Sequence, residues 1–210
     1  MGRWKKGTVK RAIVTPDKHF PLADGPAMNV LVQAIDIVKP DIYIDLGDVG
    51  EWGGCSHWQW NRKKRPPLEY QLPIIDEDIY DVNEGMDFVD KALDKVNCKV
   101  RHMIEGNHDA WMNAFVAENP FLKKEYLFKN AVRLKERGYE YHKNGDYLNV
   151  GKLSFYHGNH FASVNHTRNH LMRLGTNVMY GHHHDIQQSS VTHLGGQKSA
   201  WSIGCLKDMS

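Results

Sequence analysis

Five short clusters of residues able to bind metals or move protons punctuate the chain. They are Asp17-x-His19, Gly47-Asp48, Gly106-Asn107-His108-Asp109, the single His157, and Gly181-His182-x-His184. In an extended segment residues i and i+2 point to the same side, so Asp17 and His19 can chelate one cation, and His182 and His184 can do the same. Asp48 has two carboxylate oxygens and can bridge two cations. Asn107 offers a neutral carbonyl oxygen, which limits the negative charge gathered at a site. Gly47, Gly106 and Gly181 permit tight turns and close backbone approach beside these residues. A His, Asp and Asn donor set without thiolate suits manganese, iron, zinc or nickel rather than calcium or magnesium alone. Two such ions about 3.5–4 Å apart clamp a phosphoryl group for in-line displacement. The expected cofactors are therefore two divalent transition metal ions, manganese foremost.

Histidine usage points the same way. The chain has 13 histidines in 210 residues, and His157, His160, His166, His170, His182, His183, His184 and His193 crowd its last third. Histidine is the commonest metal-ligating side chain. His183 lies between two proposed ligands and is expected to face outward. His160, His166 and His170 are expected at the surface or behind the ligands.

The elements that must position these clusters follow from apolar periodicity. Residues 9–15 read as a strand ending at Pro16, and a helix opens at Pro26 and runs through Ile37 until Lys39-Pro40 stops it. Residues 41–46 read as a buried strand that delivers Gly47-Asp48. Residues 50–75 break the pattern with aromatics, glycines, a basic run and prolines, and read as an insertion or long loop. A helix is expected over 76–96 and a strand over 99–104, ending at Glu105-Gly106-Asn107. Helical segments follow near 110–118 and 129–137, then a hairpin over 147–157 and a helix over 165–174. A strand over 177–180 carries Gly181 to His184, and strands over 186–194 and 198–203 close the chain. Every polar cluster thus falls just past a strand, the edge at which α/β sheets bind ligands.

These five blocks, in this order, resemble the calcineurin-like metallophosphoesterase family, whose pattern is DxH, GD, GNH(D/E), an isolated His, and GHxH. They extend from Asp17 to His184, most of the chain. The resemblance implies an α/β fold, a single domain over residues 1–210, with a β-sandwich flanked by helices in α-β-β-α layers. It implies one metal on Asp17, His19, Asp48 and His184, and the other on Asp48, Asn107, His157 and His182. It implies that His108 contacts the phosphate and protonates the leaving oxygen, with Asp109 orienting it. Phosphoester hydrolysis would then proceed by attack of a hydroxide bridging the metals.

The expected substrate is a phosphoester of a nucleic acid or nucleotide. No arginine follows Gly47-Asp48 in the manner of the family's protein phosphatases, and the third block reads GNHD rather than GNHE. Both points turn away from a phosphoprotein substrate; a phosphoprotein or broad-specificity phosphomonoesterase is the alternative reading. The usual acidic position after GD is altered, since Glu51 is not clearly its equivalent. The basic run Arg62-Lys63-Lys64-Arg65 beside Trp52, Trp58, Trp60 and Tyr70 suits phosphate contact and base stacking. A non-catalytic scaffold on the same fold is the reading from another class, and scaffolds of this kind lose ligands that this chain keeps.

Bulk properties exclude several classes. A net charge of +2 says little about partners. Cys55, Cys98 and Cys205 form no CxxC pair, so neither a disulfide framework nor a thiolate zinc site is expected. No apolar run approaches the ~18 residues that span a bilayer. The basic N-terminus has no apolar segment behind it, so a cytoplasmic protein without a membrane partner is expected; the sequence is silent on oligomeric state.

Overall fold

The computed structural model describes residues 9–56 and 65–210. Its first sheet is parallel, with β1 (Ala12–Thr15), β2 (Ile42–Asp45), β3 (Val100–Ile104) and β4 (Tyr139–His142) in that spatial order. The second sheet is mixed and holds β5 (Leu148–Val150), β6 (Leu153–Phe155), β7 (Asn177–Tyr180), β9 (Gly196–Ile203) and β8 (Ile186–His193), in that order. Ile42, Ile44, Leu46 and Ile104 of the first sheet pack on Leu148 and Phe155 of the second. On the outer face of the first sheet lie α1 (Gly25–Val38), α2 (Leu68–Lys95) and α3 (Asn107–Glu118). The outer face of the second sheet is covered by α5 (His166–Leu174), through Leu171. The expected four-layer α-β-β-α arrangement is what forms.

Local chemistry accounts for the main elements. All four residues of β2, IYID, are buried, because helices cover one face of that strand and the second sheet covers the other. Asp24 caps α1 by accepting the Ala27 N–H at 2.7 Å, Pro26 stands in the first turn, and Lys39 ends the helix in a left-handed conformation (φ 48°). Helix α2 starts at Leu68, eight residues before the expected 76, so the reading of a loop through residue 75 is corrected. Pro73 suggested a break there. Its lost hydrogen bond and ring clash together cost ~3 kcal/mol, which is outweighed by burial of Ile75, Val82, Met86, Val89 and Leu93 against the sheet. The Gln71 side chain also ties the first turn to the Gly54 carbonyl at 3.2 Å.

Two further expectations change. The helix expected at 129–137 is only α4 (Phe128–Ala131), followed by turns in which Arg133 has φ 53° and Gly138 φ 78°. Strand β4 was not anticipated. Its residues, Tyr-Glu-Tyr-His, alternate polar and aromatic on an edge that, among the described residues, pairs only with β3. Among the described residues no helix is long and apolar enough to cross a membrane.

Candidate metal centre

The loops after β1, β2, β3, β6 and β7 converge at one rim of the two sheets and bring all seven expected ligands together. Asp17, His19 and His184 form one group and Asp48, His157 and His182 another; within each, one donor atom per residue lies within 4.8 Å of the others. In the first group His19 Nε2 is 3.1 Å from His184 Nε2, and His184 Nε2 is 3.8 Å from Asp17 Oδ1. In the second, His157 Nε2 is 3.2 Å from Asp48 Oδ2 and 2.9 Å from the Asn107 side-chain oxygen. Asp48 Oδ2 also lies 3.8 Å from His19 Nε2, so it faces both groups.

The sequence reading let both oxygens of Asp48 bridge two cations; the two oxygens differ in their surroundings. Oδ1 is already engaged, accepting the His108 N–H at 2.8 Å. Oδ2 is thus the oxygen turned toward both groups. The i, i+2 reading needs correction. His19, Asp48, His182 and His184 have φ of 50°, 49°, 67° and 58°, so their segments are tight left-handed turns, not extended strands. The turns send His182 and His184 to different groups. Such backbone costs about 1–3 kcal/mol per residue and persists where surrounding structure enforces it, typically at functional sites.

Backbone contacts enforce it here. The two oxygens of Asp17 accept the His182 N–H at 3.0 and 2.9 Å, joining the first loop to the last. Glycine is required at 181, because a Cβ there would stand 2.1 Å from Asp17 Oδ2. A Cβ at Gly106 would stand 2.1 Å from Asp48 Oδ1. His157 Nδ1 donates to the Leu46 carbonyl at 2.9 Å, which leaves Nε2 to face the centre.

The electrostatics fit a cation site. Asp17, Asp48 and His157 are almost completely buried, and buried carboxylates need compensating positive charge. Burial pushes the Asp17 carboxyl well above the usual carboxylate range, Asp48 adds to the rise, and His157 opposes it. For Asp48 burial acts upward too, but the charge and hydrogen bond of His157 outweigh it and hold the carboxyl low. Burial pulls the His157 imidazole down, yet Asp48 and then Asp17 raise its pKa to about 10. His182 and His184 are lowered, chiefly by burial, to about 3 and about 4, and so offer free lone pairs at neutral pH. Two buried carboxylates, an amide oxygen and four imidazoles suit borderline divalent metals. In the metal-free protein His157 holds a proton that a metal must displace, whereas His182 and His184 hold none. Metal affinity is thus expected to rise at least about tenfold per pH unit between about pH 6 and 9. Isothermal titration in buffers of different ionisation heat measures the released protons, and a pH-independent affinity would contradict the assignment.

His108 stands beside this centre. Its Nδ1 donates to the Glu51 carbonyl at 3.0 Å and its ring lies 3.9 Å from that of Trp111. Burial lowers its pKa, opposed by the charges of Asp48 and Glu51. Asp109 does not orient it. The Asp109 carboxylate is buried under the loop, where it accepts the N–H of Gly106 (3.0 Å), the N–H of Val49 (3.2 Å) and the Trp52 indole N–H (2.8 Å). As the third residue of α3 it caps that helix, so its position served the backbone and not the imidazole. Burial, with the charge of Asp48, raises its pKa to about 7.

Sequence reasoning set Glu51 aside as not clearly equivalent to the acidic position after GD, and gave Lys207 no role. The Glu51 carboxylate lies 2.8 Å from His19 Nδ1, outside hydrogen-bond geometry, and 2.9 Å from Lys207 Nζ. Burial raises its pKa, but His19 and Lys207 outweigh burial and hold it at about 2. Glu51 stands three residues after Asp48, which was the available signal; Lys207 gave none. Carboxylates behind a ligating histidine commonly steady the ring. Glu51→Ala is expected to weaken metal binding about 10–100-fold, read by competition with a chelating dye; unchanged affinity would deny Glu51 that role.

The remaining expectations divide. His160 is exposed, but His166 and His170 are buried. His183 does not face outward: its ring stacks on that of His166 at 3.8 Å, and its Nε2 is buried without a hydrogen-bond partner. His166 is fixed between the Tyr180 hydroxyl (2.8 Å) and Asp185 (3.0 Å), a network that props the 181–185 loop from behind. Trp52 is fully buried and cannot stack on a nucleic acid, whereas Tyr70 is exposed. Trp58, Trp60, Arg62, Lys63 and Lys64 lie outside the described residues, and Arg65 pairs with Glu118 at 2.6 Å.

Fold and site together define an α/β protein with a candidate metal centre where the strand ends of two sheets meet. No family model matches the chain. The Gene 54 protein of Mycobacterium phage L5 is 24% identical over 221 residues, covering 95% of this chain and 80% of that protein. Among solved structures, the Pseudomonas putida nuclease MPE has a TM-score of 0.42 at 13% identity, over 96% of this chain and 76% of its own. The Chaetomium thermophilum Vps29 has a TM-score of 0.43 at 9% identity, over 94% and 72%. These are distant likenesses, and the chemistry has to be read from the site itself.

Proposed function

We propose that the chain is a two-metal phosphoester hydrolase acting on nucleic acids or nucleotides. The observation that carries the reading is Asp48, whose Oδ2 faces one His/Asp group at 3.2 Å and the other at 3.8 Å. Asp17, His19, Asp48 and His184 would hold one divalent ion of the manganese, iron, zinc or nickel class. Asp48, Asn107, His157 and His182 would hold the second. Bound there, the ions would supply Lewis-acid neutralisation of the phosphoryl group and acidify the attacking water.

The chain's own residues supply the rest. His108 keeps its Nδ1–H on the Glu51 carbonyl and its face on Trp111, which leaves Nε2 as the atom that, in the doubly protonated imidazolium, passes a proton to the leaving oxygen. Its backbone N–H donates to Asp48 Oδ1 at 2.8 Å and ties the acid to the bridging carboxylate. The nucleic-acid assignment is supported by the GNHD block and by the absence of an arginine after Gly47-Asp48. It is tested by incubating manganese-loaded protein with single- and double-stranded DNA, RNA and cyclic nucleotides, alongside a phosphopeptide. Cleavage of one of the nucleic acids or nucleotides is expected. Turnover of the phosphopeptide alone would replace this substrate class with phosphoproteins.

A further inference from the structure

We infer that His102, Glu140 and His142 form a further cation site, for zinc or a similar borderline divalent ion, on the edge strand β4. The register of β3 and β4 sets His102 opposite Glu140, and His142 follows Glu140 by two residues, so all three side chains leave one face of the sheet. Their donor atoms converge. His102 Nδ1 lies 3.1 Å from His142 Nε2 and 3.6 Å from Glu140 Oε2, and one donor from each residue lies within 4.8 Å of the others. Ligands about 2.0–2.2 Å from a tetrahedral zinc stand about 3.3 Å apart, close to these separations. The motif centre shows the same spacing where His19 and His184 face each other at 3.1 Å.

The surroundings favour the ion. Burial lowers the pKa of both imidazoles against the opposing charge of Glu140, which leaves them neutral with lone pairs to give. His102 is buried, His142 half-buried and Glu140 exposed, so an ion can enter from solvent and keep a water as fourth ligand. Among the described residues strand β4 pairs on one side only, with β3. A metal joining His102 to Glu140 and His142 would fasten that edge to the sheet. Without an ion the two rings make a plain imidazole–imidazole hydrogen bond, and the experiment must separate the two cases. The site shares no residue with the motif centre, so it stands whether or not that centre hydrolyses phosphoesters.

Chelator-stripped full-length protein is titrated with zinc chloride near neutral pH and the bound ions are counted by native mass spectrometry. The double variant His102→Gln/His142→Gln is expected to bind one zinc fewer than the parent. Asp48→Asn, which disrupts only the motif centre, is expected to retain that ion. Equal zinc stoichiometry in the parent and the folded double variant would overturn the site. Glu140→Gln changes an exposed residue and puts the fold at little risk. It should raise the dissociation constant of this ion roughly tenfold or more, and an unchanged constant would overturn the site even if the double variant fails to fold.

Discussion

Asp48→Asn is expected to abolish phosphoester hydrolysis and strip metal from both groups of the motif centre at once. Asp48 Oδ2 faces both His157 and His19, at 3.2 and 3.8 Å. Its negative charge is also what holds the His157 proton, so an amide removes both the bridge and the charge that balances two cations. Metal ions contribute several kcal/mol to stabilising charge in such reactions. At 1.36 kcal/mol per decade the loss in kcat is expected to reach about 10³-fold or more. The amide keeps the shape of the side chain and can still accept the His108 N–H, so folding should survive. Metal analysis and initial rates check this together; a variant that keeps both ions and most of its rate would remove Asp48 from the bridging position.

Trp52→Ala is expected to be the most destabilising single substitution in the loop after β2. The indole is fully buried, packs edge-on against Phe128 with ring centroids 6.0 Å apart, and donates its N–H to Asp109 Oδ1 at 2.8 Å. Truncating a buried tryptophan costs about 3–5 kcal/mol. Leaving a buried carboxylate short of one donor adds about 1–3 kcal/mol. For a chain of this size the melting temperature should fall by roughly 10 °C or more. Trp52→Phe retains most of the packing and loses only the N–H, so its loss should be close to the hydrogen-bond part alone. Equal melting temperatures for the parent and Trp52→Ala would show that the indole is not part of the core.

Trp52 also marks where reading the sequence stops being sufficient. Beside a basic run it had the composition of a stacking surface, yet its partners, Asp109 and Phe128, are 57 and 76 residues away. No local pattern reports such pairings. The same holds for Lys207, which meets Glu51 from the other end of the chain, and for His183, whose neighbour His166 comes from helix α5. What was readable depended on local spacing. Apolar runs ending in Asp, Asn or His marked β2, β3 and β7, whose loops meet those after β1 and β6 and bring the seven expected ligands together. Spacing could not decide which atoms they present. Left-handed turns at His19, His182 and His184 stand where extended segments are expected, and they separate His182 from His184. Asp109 has the same spacing from His108 whether it orients the ring or caps α3, and only its hydrogen bonds distinguish the two.

The most direct test is the rate of manganese-loaded protein on bis-p-nitrophenyl phosphate and p-nitrophenyl phosphate, with EDTA-treated and His108→Ala samples beside it. A phosphodiesterase is expected to cleave the diester faster, to lose all turnover with EDTA, and to slow about 10²–10⁴-fold when the general acid is removed. Protein that binds no transition metal and turns over neither ester would contradict the hydrolase assignment and leave a scaffold built on the same fold.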